Sequence, residues 1–173
     1  MSDRANAAAG GKPASEVSRR AQETDSRNDE HAFVTLLLAD QLCGVPVLGV
    51  RDVLADQVIA RIPLAPREVA GNLNLRGRIV TAIDLRARLR LPPREEGAPF
   101  VSVVTEQGTE LYALLVDQVS EVLTLRRSAM EPNPPTLPRL WADHSDGIYR
   151  LDDHLMVVLN MERLLQLDLA DAA

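Results

Sequence analysis

The feature that most constrains the fold is a match between the two halves of the chain. Two pairs of segments align: LCGVPVLGVRDVL at 42 to 54 with LYALLVDQVSEVL at 111 to 123, and GNLNLRGRIVTAIDLRARL at 71 to 89 with GIYRLDDHLMVVLNMERLL at 147 to 165. In the second pair Gly71 falls on Gly147. The match predicts a duplicated unit of about 60 residues. Since a unit of that size buries only about 60% of its unfolded surface, the copies should pack together, with a groove between two small barrels.

Short runs rich in aliphatic and β-branched residues predict strands rather than helices. They are AFVTLLLA at 32 to 39, DQVIARI at 56 to 62, RIVTAIDL at 78 to 85, FVSVVT at 100 to 105, LYALLVD at 111 to 117 and HLMVVLN at 154 to 160. Two segments that follow strands, 84 to 89 and 160 to 165, are predicted to be short helices because an Asp or Asn opens each of them and can cap the first turn. The expected fold is mainly β.

Changes of composition divide the chain. Residues 1 to 30 lack an apolar period and are predicted to form a disordered tail, since they cannot bury enough surface to offset the entropy of ordering. The stretch RLPPREEGAP at 90 to 99 predicts a linker, and the proline-rich stretch 126 to 147 predicts a long loop. A C-terminal tail is expected at 167 to 173.

The composition excludes several classes of function. A net charge of −6 and an aromatic content of 3% disfavour nucleic-acid binding, which needs clustered basic residues or aromatic stacking. Cys43 is the only cysteine, so neither an intrachain disulfide nor a zinc site built from thiolates is possible. No apolar stretch is typical of a signal peptide or a membrane span, so we expect a cytoplasmic protein without direct membrane insertion.

No pattern of catalytic residues is present, and no metal or other cofactor is expected. The histidines, at 31, 144 and 154, have no metal-binding spacing and are predicted to be solvated. Cys43 lies in an apolar run, which favours a buried and unreactive thiol. The basic run DLRARLRLPPR at 84 to 94 is interpreted as a solvated face rather than an anion site.

The stretch NLNLRGRIV places Arg76 at or beside a hairpin tip, because Asn74 and Gly77 tolerate the positive φ of tight turns. The aligned position in the second copy is Asp152, so the charge is not repeated. Arg76 is either an ordinary solubilising turn residue or an anchor for a partner protein, since arginine is enriched in binding hot spots. The spacing alone does not decide between these two interpretations.

At this stretch the sequence resembles the CheW-like family of bacterial chemotaxis coupling proteins. The motifs that carry the resemblance are N-L-R-G at 74 to 77 and I-D-L-R at 83 to 86, supported by CGVPVLGVRDVL, ARIPLAP, LLVDQVSEVL and the closing GIYRLDDHLMVVLNMERLL. The resemblance spans residues 31 to 166. It implies two five-stranded SH3-like β-barrel subdomains, at about 31 to 90 and 99 to 166, packed around a shared hydrophobic core with short helices.

The resemblance also implies a function without catalysis. Members couple methyl-accepting chemoreceptors to a CheA-type histidine kinase, so the implied partners are the cytoplasmic tip of a receptor, bound in the groove, and the regulatory domain of the kinase, bound at barrel ends. Such a protein is cytoplasmic and is recruited to membrane-associated receptor arrays. The receptor-binding residues carried over by the resemblance are Val50, Asp52, Gly71, Asn74, Arg76, Gly77, Val101 and Val122.

Some positions depart from the family pattern: Asp52 replaces a usual Glu, Asn72 an apolar residue, Thr81 a frequent Pro and Ala113 a frequent Gly. These departures leave open an auxiliary CheW-like protein, either of a pathway that governs pili, surface growth or development or one that competes for array sites. A detached regulatory piece of a CheA-type kinase is a further alternative. An active kinase is excluded because 173 residues leave no room for its phosphoacceptor and ATP-binding domains.

Overall fold

The computed structural model describes residues 29 to 167, and the predicted tails at 1 to 30 and 167 to 173 lie almost entirely outside this range. The chain divides into two units between Glu30 and His31, and apart from Glu30, the first residue of β1, both sheets belong to the second unit. Within the described range the chain forms ten strands in two five-stranded sheets. The prediction of a mainly β fold with two five-stranded units is therefore confirmed.

Each sheet has a defined spatial order of strands. Sheet 1 contains, from edge to edge, β8 (Gln118–Arg126), β1 (Glu30–Leu38), β2 (Gln41–Pro46), β10 (Leu155–Leu159) and β9 (Ser145–Arg150). Sheet 2 contains β3 (Val50–Ala55), β6 (Val101–Gln107), β7 (Glu110–Val116), β5 (Arg78–Asp84) and β4 (Val69–Leu75). Three short helices in the described range are α1 (Leu85–Arg88), α2 (Arg139–Asp143) and α3 (Met161–Leu165).

The two sheets are interlocked copies of each other. If five is added to each strand number of sheet 1, and ten is subtracted from any sum above ten, the result is the strand order of sheet 2. Each sheet takes two strands from one half of the sequence and three from the other half. Parallel pairs, β2 with β10 and β5 with β7, are among the contacts that join the halves. The sheets therefore do not coincide with the sequence segments 31 to 90 and 99 to 166.

One glycine in each sheet lies where the two edges of that sheet come together. Gly71 has φ +148°, and a Cβ there would overlap the carbonyl oxygen of Ala60, which follows β3. The next residue, Asn72, exchanges two backbone hydrogen bonds of 2.8 Å with Ala60. Gly147 has φ +155° and lies similarly close to the Glu131 carbonyl, which follows β8. Each sheet thus curls as in an SH3-like barrel, joined by one bridge rather than closed by a continuous ladder.

The largest hydrophobic core lies between the sheets and is shared by both. Sheet 1 contributes Leu36, Leu38, Cys43, Val45, Val157 and Leu159, and sheet 2 contributes Ile83, Val103, Leu114 and Val116. The three helices add Leu85, Trp141, Leu164 and Leu165. One smaller cluster fills the interior of sheet 2, and another fills the interior of sheet 1. The expected shared core is present, and it joins residues from both halves of the sequence.

Both predicted short helices are confirmed. Asp84 caps α1 through a hydrogen bond that its Oδ1 accepts from the Arg86 N–H at 3.0 Å, and Asn160 caps α3 through one of 2.9 Å from the Arg163 N–H. These caps satisfy N–H groups that the first helical turn leaves without partners.

The predicted strand at 56 to 62 is wrong. β3 ends at Ala55, and Asp56 turns the chain out of the sheet with φ +53°. Only Ala60 of this run pairs with a strand. The apolar residues of 56 to 62 therefore lie on an irregular segment.

The prediction of one long loop at 126 to 147 also needs correction. β8 extends to Arg126, a 3₁₀ turn follows at Arg127–Ala129, and α2 precedes β9. Pro138 precedes the first turn of α2, where a proline costs no hydrogen bond. Trp141 of α2 is buried in the shared core. Burial of this large side chain fixes a segment whose prolines suggested irregular structure.

Candidate functional site

The β4–β5 hairpin presents Arg76 at a tight turn. Leu75 pairs with Arg78, which leaves Arg76 and Gly77 as a two-residue loop. Both have positive φ, 51° and 83°, a combination typical of the type I′ turn whose twist suits flanking strands. The Asn74 Oδ1 accepts a hydrogen bond of 2.9 Å from the Gly77 N–H. The predicted hairpin tip is confirmed, although Asn74 contributes through its side chain and not through a positive φ.

The side chain of Arg76 is exposed and only loosely held. It is 85% exposed, and its Nη2 lies 3.8 Å from Oδ2 of Asp52 in β3. The Asp52 Oδ1 accepts a hydrogen bond of 2.9 Å from the Val53 N–H, which fixes the carboxylate. An exposed ion pair contributes on the order of 0–1 kcal/mol. Arg76 can therefore exchange Asp52 for a carboxylate of a partner at small cost.

Val50 and Val101 lie at opposite ends of the β3–β6 pair. Val50 is paired with Thr105, whereas Val101 is paired with Ala55 at the far end of β3. Both valines are half-buried against the shared core. Val50 and Ala55 are five residues apart along β3, so Val50 and Val101 are separated by about 17 Å along the strand direction. Val50 is thus near Asp52, while Val101 is not.

Gly71 and Val122 have other positions. Gly71 is buried, and the close approach of the Ala60 carbonyl explains why a glycine is needed there. Val122 is 58% exposed on β8, in sheet 1, where its aligned partner in the other half is Val53. Of the residues carried over from the family, Asp52, Asn74, Arg76 and Gly77 form one cluster, which we call the Arg76 surface.

A partly buried group of charges connects α1, the end of β7 and the segment between β5 and β6. The Asp117 carboxylate receives hydrogen bonds from Arg86 at 2.7 Å, Arg94 at 2.9 Å and the Ala39 N–H at 2.8 Å. Arg94 also lies 3.7 Å from Asp84. The side chains of Arg86 and Arg94 are only 18% and 12% exposed. We call Asp84, Arg86, Arg94 and Asp117 the Asp117 cluster.

The Asp117 cluster overturns the interpretation of 84 to 94 as a solvated face. Burial acts to raise the pKa of Asp117, but hydrogen bonds from Arg86, the Ala39 N–H and Arg94 outweigh it and lower the pKa to about 2. The hydrogen bond to Asp117 raises the pKa of Arg86. The Asp117 carboxylate is therefore ionised, and it pairs with both guanidinium groups. The segment predicted as a linker at 90 to 99 has no helix or strand, yet Arg94 fixes it to the end of β7.

The sequence contained a signal for this cluster, because Asp84 and Arg86 belong to the I-D-L-R motif and Asp117 to LLVDQVSEVL. In the sequence alone, these motifs served only as marks of a family. The structure gives them a structural role, since they join sheet 2 to the β1–β2 turn at Ala39.

Residues 29 to 167 contain no cluster of three or more His, Cys, Asp or Glu side chains that could hold a metal ion. Cys43 is buried as predicted, and burial raises the pKa of its thiol. The prediction that His144 is solvated is wrong, because the side chain is buried. Its Nδ1 lies within hydrogen-bond distance, 2.7 Å, of the Leu140 carbonyl oxygen in α2. No helix of the described range is both long and apolar enough to cross a membrane.

The fold and this surface define a class: a duplicated β domain, built from two interlocked sheets, that presents an exposed hairpin tip. Comparison with known families is consistent with that class and more specific. The family model described as the CheW-like domain matches residues 32–169. The chain belongs to the CheW-like domain family.

Relatives match over most of their length. A probable chemotaxis protein CheW from Rhizobium etli is 28% identical over 144 residues, which cover 83% of this chain and 93% of that protein. The chemotaxis protein CheW of Klebsiella aerogenes is 28% identical over 149 residues, covering 86% and 87%. Among solved structures, the scaffolding protein TtCheW from Thermoanaerobacter tengcongensis has a TM-score of 0.72 at 28% identity, covering 80% of this chain and 89% of that one.

Proposed function

We propose that the protein is a non-catalytic adaptor that couples chemoreceptors to a CheA-type histidine kinase in a cytoplasmic signalling array. The observation that carries the proposal is membership of the CheW-like family together with the exposed Arg76 at a rigid turn. Relatives are named as chemotaxis proteins, and the similar solved structure is named as a scaffolding protein. These names support a role in assembly rather than in turnover of a substrate.

The receptor is proposed to bind at the Arg76 surface and the adjoining Val50. The turn is fixed by the Asn74 hydrogen bond, so the backbone that carries Arg76 has a defined position while its side chain is free to reach a partner. Its ion pair with Asp52 is long and exposed, so an acidic receptor side chain can replace Asp52 at small cost. Half-buried Val50 on β3 supplies apolar area beside this charge. An arginine next to apolar area is a frequent composition of a binding hot spot.

The test uses two purified probes from the same genome: the cytoplasmic hairpin of a chemoreceptor and the regulatory domain of the CheA-type kinase. Binding of each is measured by titration calorimetry for the wild type and for Arg76→Glu. The matched control is Arg139→Glu, because Arg139 is also exposed and forms a comparable loose ion pair, 4.0 Å long, with Asp143. The control changes the net charge equally at a different place.

Wild type should bind both probes, and Arg76→Glu should weaken receptor binding about tenfold while Arg139→Glu leaves it unchanged. Circular dichroism should show equal melting temperatures for all three proteins, because both arginines are exposed. If the wild type binds neither probe, the adaptor proposal fails. If Arg76→Glu and Arg139→Glu behave alike, the receptor site lies elsewhere.

A further inference from the structure

The end of sheet 2 where α1 begins contains a pocket of about 620 Å³ with a basic rim. Its apolar wall includes Ile59, Phe100 and Leu115. Asp84 and Arg94 also line the pocket, and they lie 3.7 Å apart. Two further lining residues, Arg61 and Arg67, are exposed and form no ion pair with any residue between 29 and 167. The rim is therefore positive although the chain carries −6.

The equivalent position in the second half of the chain is filled by a tryptophan. The residues that cap α1 and α3 donate backbone hydrogen bonds of 2.8 Å to the carbonyls of Glu68 and His144 respectively, so these two residues are equivalent. Three residues before them stand Ala65, which lines the pocket, and Trp141, which is buried. The first half thus has a methyl group where the second half has an indole. The second half fills this position from within the chain, and the described residues of the first half leave it open.

The chain passes Leu167, the last residue that the structure describes, beside the helix that borders the pocket. Arg88 of α1 donates hydrogen bonds of 3.0 Å and 2.9 Å to the carbonyls of Leu164 and Gln166. Leu167 packs against the shared core. Asp84, which lines the pocket, is four residues before Arg88, or about 6 Å along a helix axis. The six residues that follow Leu167 span up to about 20 Å when extended, which is enough to reach the pocket.

These six residues have the chemistry that suits the pocket. Their sequence is DLADAA, with Asp168 and Asp171 on either side of Leu169 and without a basic residue. Two carboxylates match the two unpaired guanidinium groups of the rim, and the leucine matches the apolar wall. A segment tethered this closely has an effective concentration on the order of mM, so a few weak contacts are enough to hold it.

We propose that residues 168 to 173 dock in this pocket as an intramolecular ligand. Leu169 lies against the apolar wall, and Asp168 and Asp171 pair with Arg61 and Arg67. The segment covers the end of sheet 2 from within the chain, as the buried tryptophan of α2 fills the equivalent position in the second half.

Disulfide trapping in the full-length protein tests the contact. Ala65→Cys places a thiol in the pocket, and Ala170→Cys places one in the segment without changing its leucine or its carboxylates. Cys43 is buried and does not compete. The matched control combines Ala170→Cys with Arg90→Cys, because Arg90 is exposed and stands only two residues after the arginine that binds the end of α3. A segment that only collides with the surface would react with this control position at least as fast.

The Ala65→Cys and Ala170→Cys pair should form its disulfide about tenfold faster than the control pair under the same oxidant. Adding Arg61→Glu and Arg67→Glu should slow trapping about tenfold, and adding Asp168→Arg and Asp171→Arg to that protein should restore it. Equal rates for the pocket pair and the control pair would overturn the proposal, as would a charge swap that fails to restore trapping. No partner protein enters the measurement, so its failure would leave the adaptor function untouched.

Discussion

Replacing Asp117 with asparagine removes a carboxylate that serves two nearly buried guanidinium groups. Arg86 and Arg94 would keep their charges but lose the carboxylate oxygens at 2.7 Å and 2.9 Å. Loss of one partner from a fully buried pair costs about 3–5 kcal/mol. Both arginines retain some exposure, and Asp84 remains 3.7 Å from Arg94. We therefore expect the free energy of unfolding at neutral pH to fall by about 2–3 kcal/mol.

The pH dependence of this effect has a definite sign. The pKa of Asp117 is about 2 in the folded protein, below its value of about 3.9 in an unfolded chain. The ionised carboxylate therefore stabilises the fold fully above about pH 4, and this contribution disappears as the pH falls towards about 2. The shift corresponds to about 1–2 kcal/mol once solvent screening of this incompletely buried group is allowed for. The difference in the free energy of unfolding between wild type and Asp117→Asn should become smaller by that amount as the pH falls.

Urea unfolding followed by circular dichroism measures the effect at neutral pH and at intervals down to about pH 2.5. Asp152→Asn is the control, because Asp152 is an exposed carboxylate in the turn between β9 and β10. It should change the free energy of unfolding by less than about 0.5 kcal/mol. The reasoning is refuted if Asp117→Asn is equally mild at neutral pH, or if its difference from wild type stays constant below pH 4.

Three further outcomes are expected from the fold. Gly71→Ala should cost more than about 3 kcal/mol in thermal unfolding because a Cβ there meets a backbone carbonyl at positive φ, whereas Gly49→Ala, with nothing within 4 Å, should be tolerated. Arg88→Ala should cost about 1–2 kcal/mol and increase amide hydrogen exchange in α3, because Arg88 donates hydrogen bonds of 3.0 Å and 2.9 Å to the carbonyls of Leu164 and Gln166. Cys43 should resist alkylation in the native protein and react in urea; rapid alkylation of the native protein would contradict its burial.

The duplication predicted two equivalent units and the family resemblance implied five strands in each, and the two sheets have equivalent strand orders. It did not predict which strands pair. An apolar face is equally well buried by a neighbour from the same half or from the other half, so the hydrophobic pattern does not distinguish the two arrangements. The parallel pairs Val157 with Cys43 and Ile83 with Leu114 decide it, and both join different halves. The architecture was therefore predictable from the sequence, whereas the exchange of strands was not.

The Arg76 turn was predictable because local chemistry determines it: Asn74 and Gly77 fit a tight hairpin whatever surrounds them. The Asp117 cluster was not predictable from charge patterning. Arg86 and Asp117 are 31 residues apart and meet only after the sheet forms. The conformation of Leu64, which has φ +61° and is 94% exposed, was not predictable either, since an apolar residue among other apolar residues gives no sign of positive φ or of exposure.

A comparison of equivalent positions in the two halves distinguishes residues that maintain the fold from residues that are free to bind a partner. Gly71 and Gly147 are identical, and both allow the close backbone approach that joins the edges of a sheet. The hairpin tips differ, because Arg76 aligns with Asp152. Arg76 forms its ion pair with Asp52 of β3, and Asp52 aligns with Glu121. The first half therefore has one positive and one negative charge at these two positions, whereas the second half has two negative charges, Asp152 and Glu121. On the proposed function, an acidic segment of a receptor would be attracted to the first tip and repelled by the second. The duplicated scaffold would otherwise offer two similar docking sites, and this divergence in charge would give it a single orientation towards the receptor.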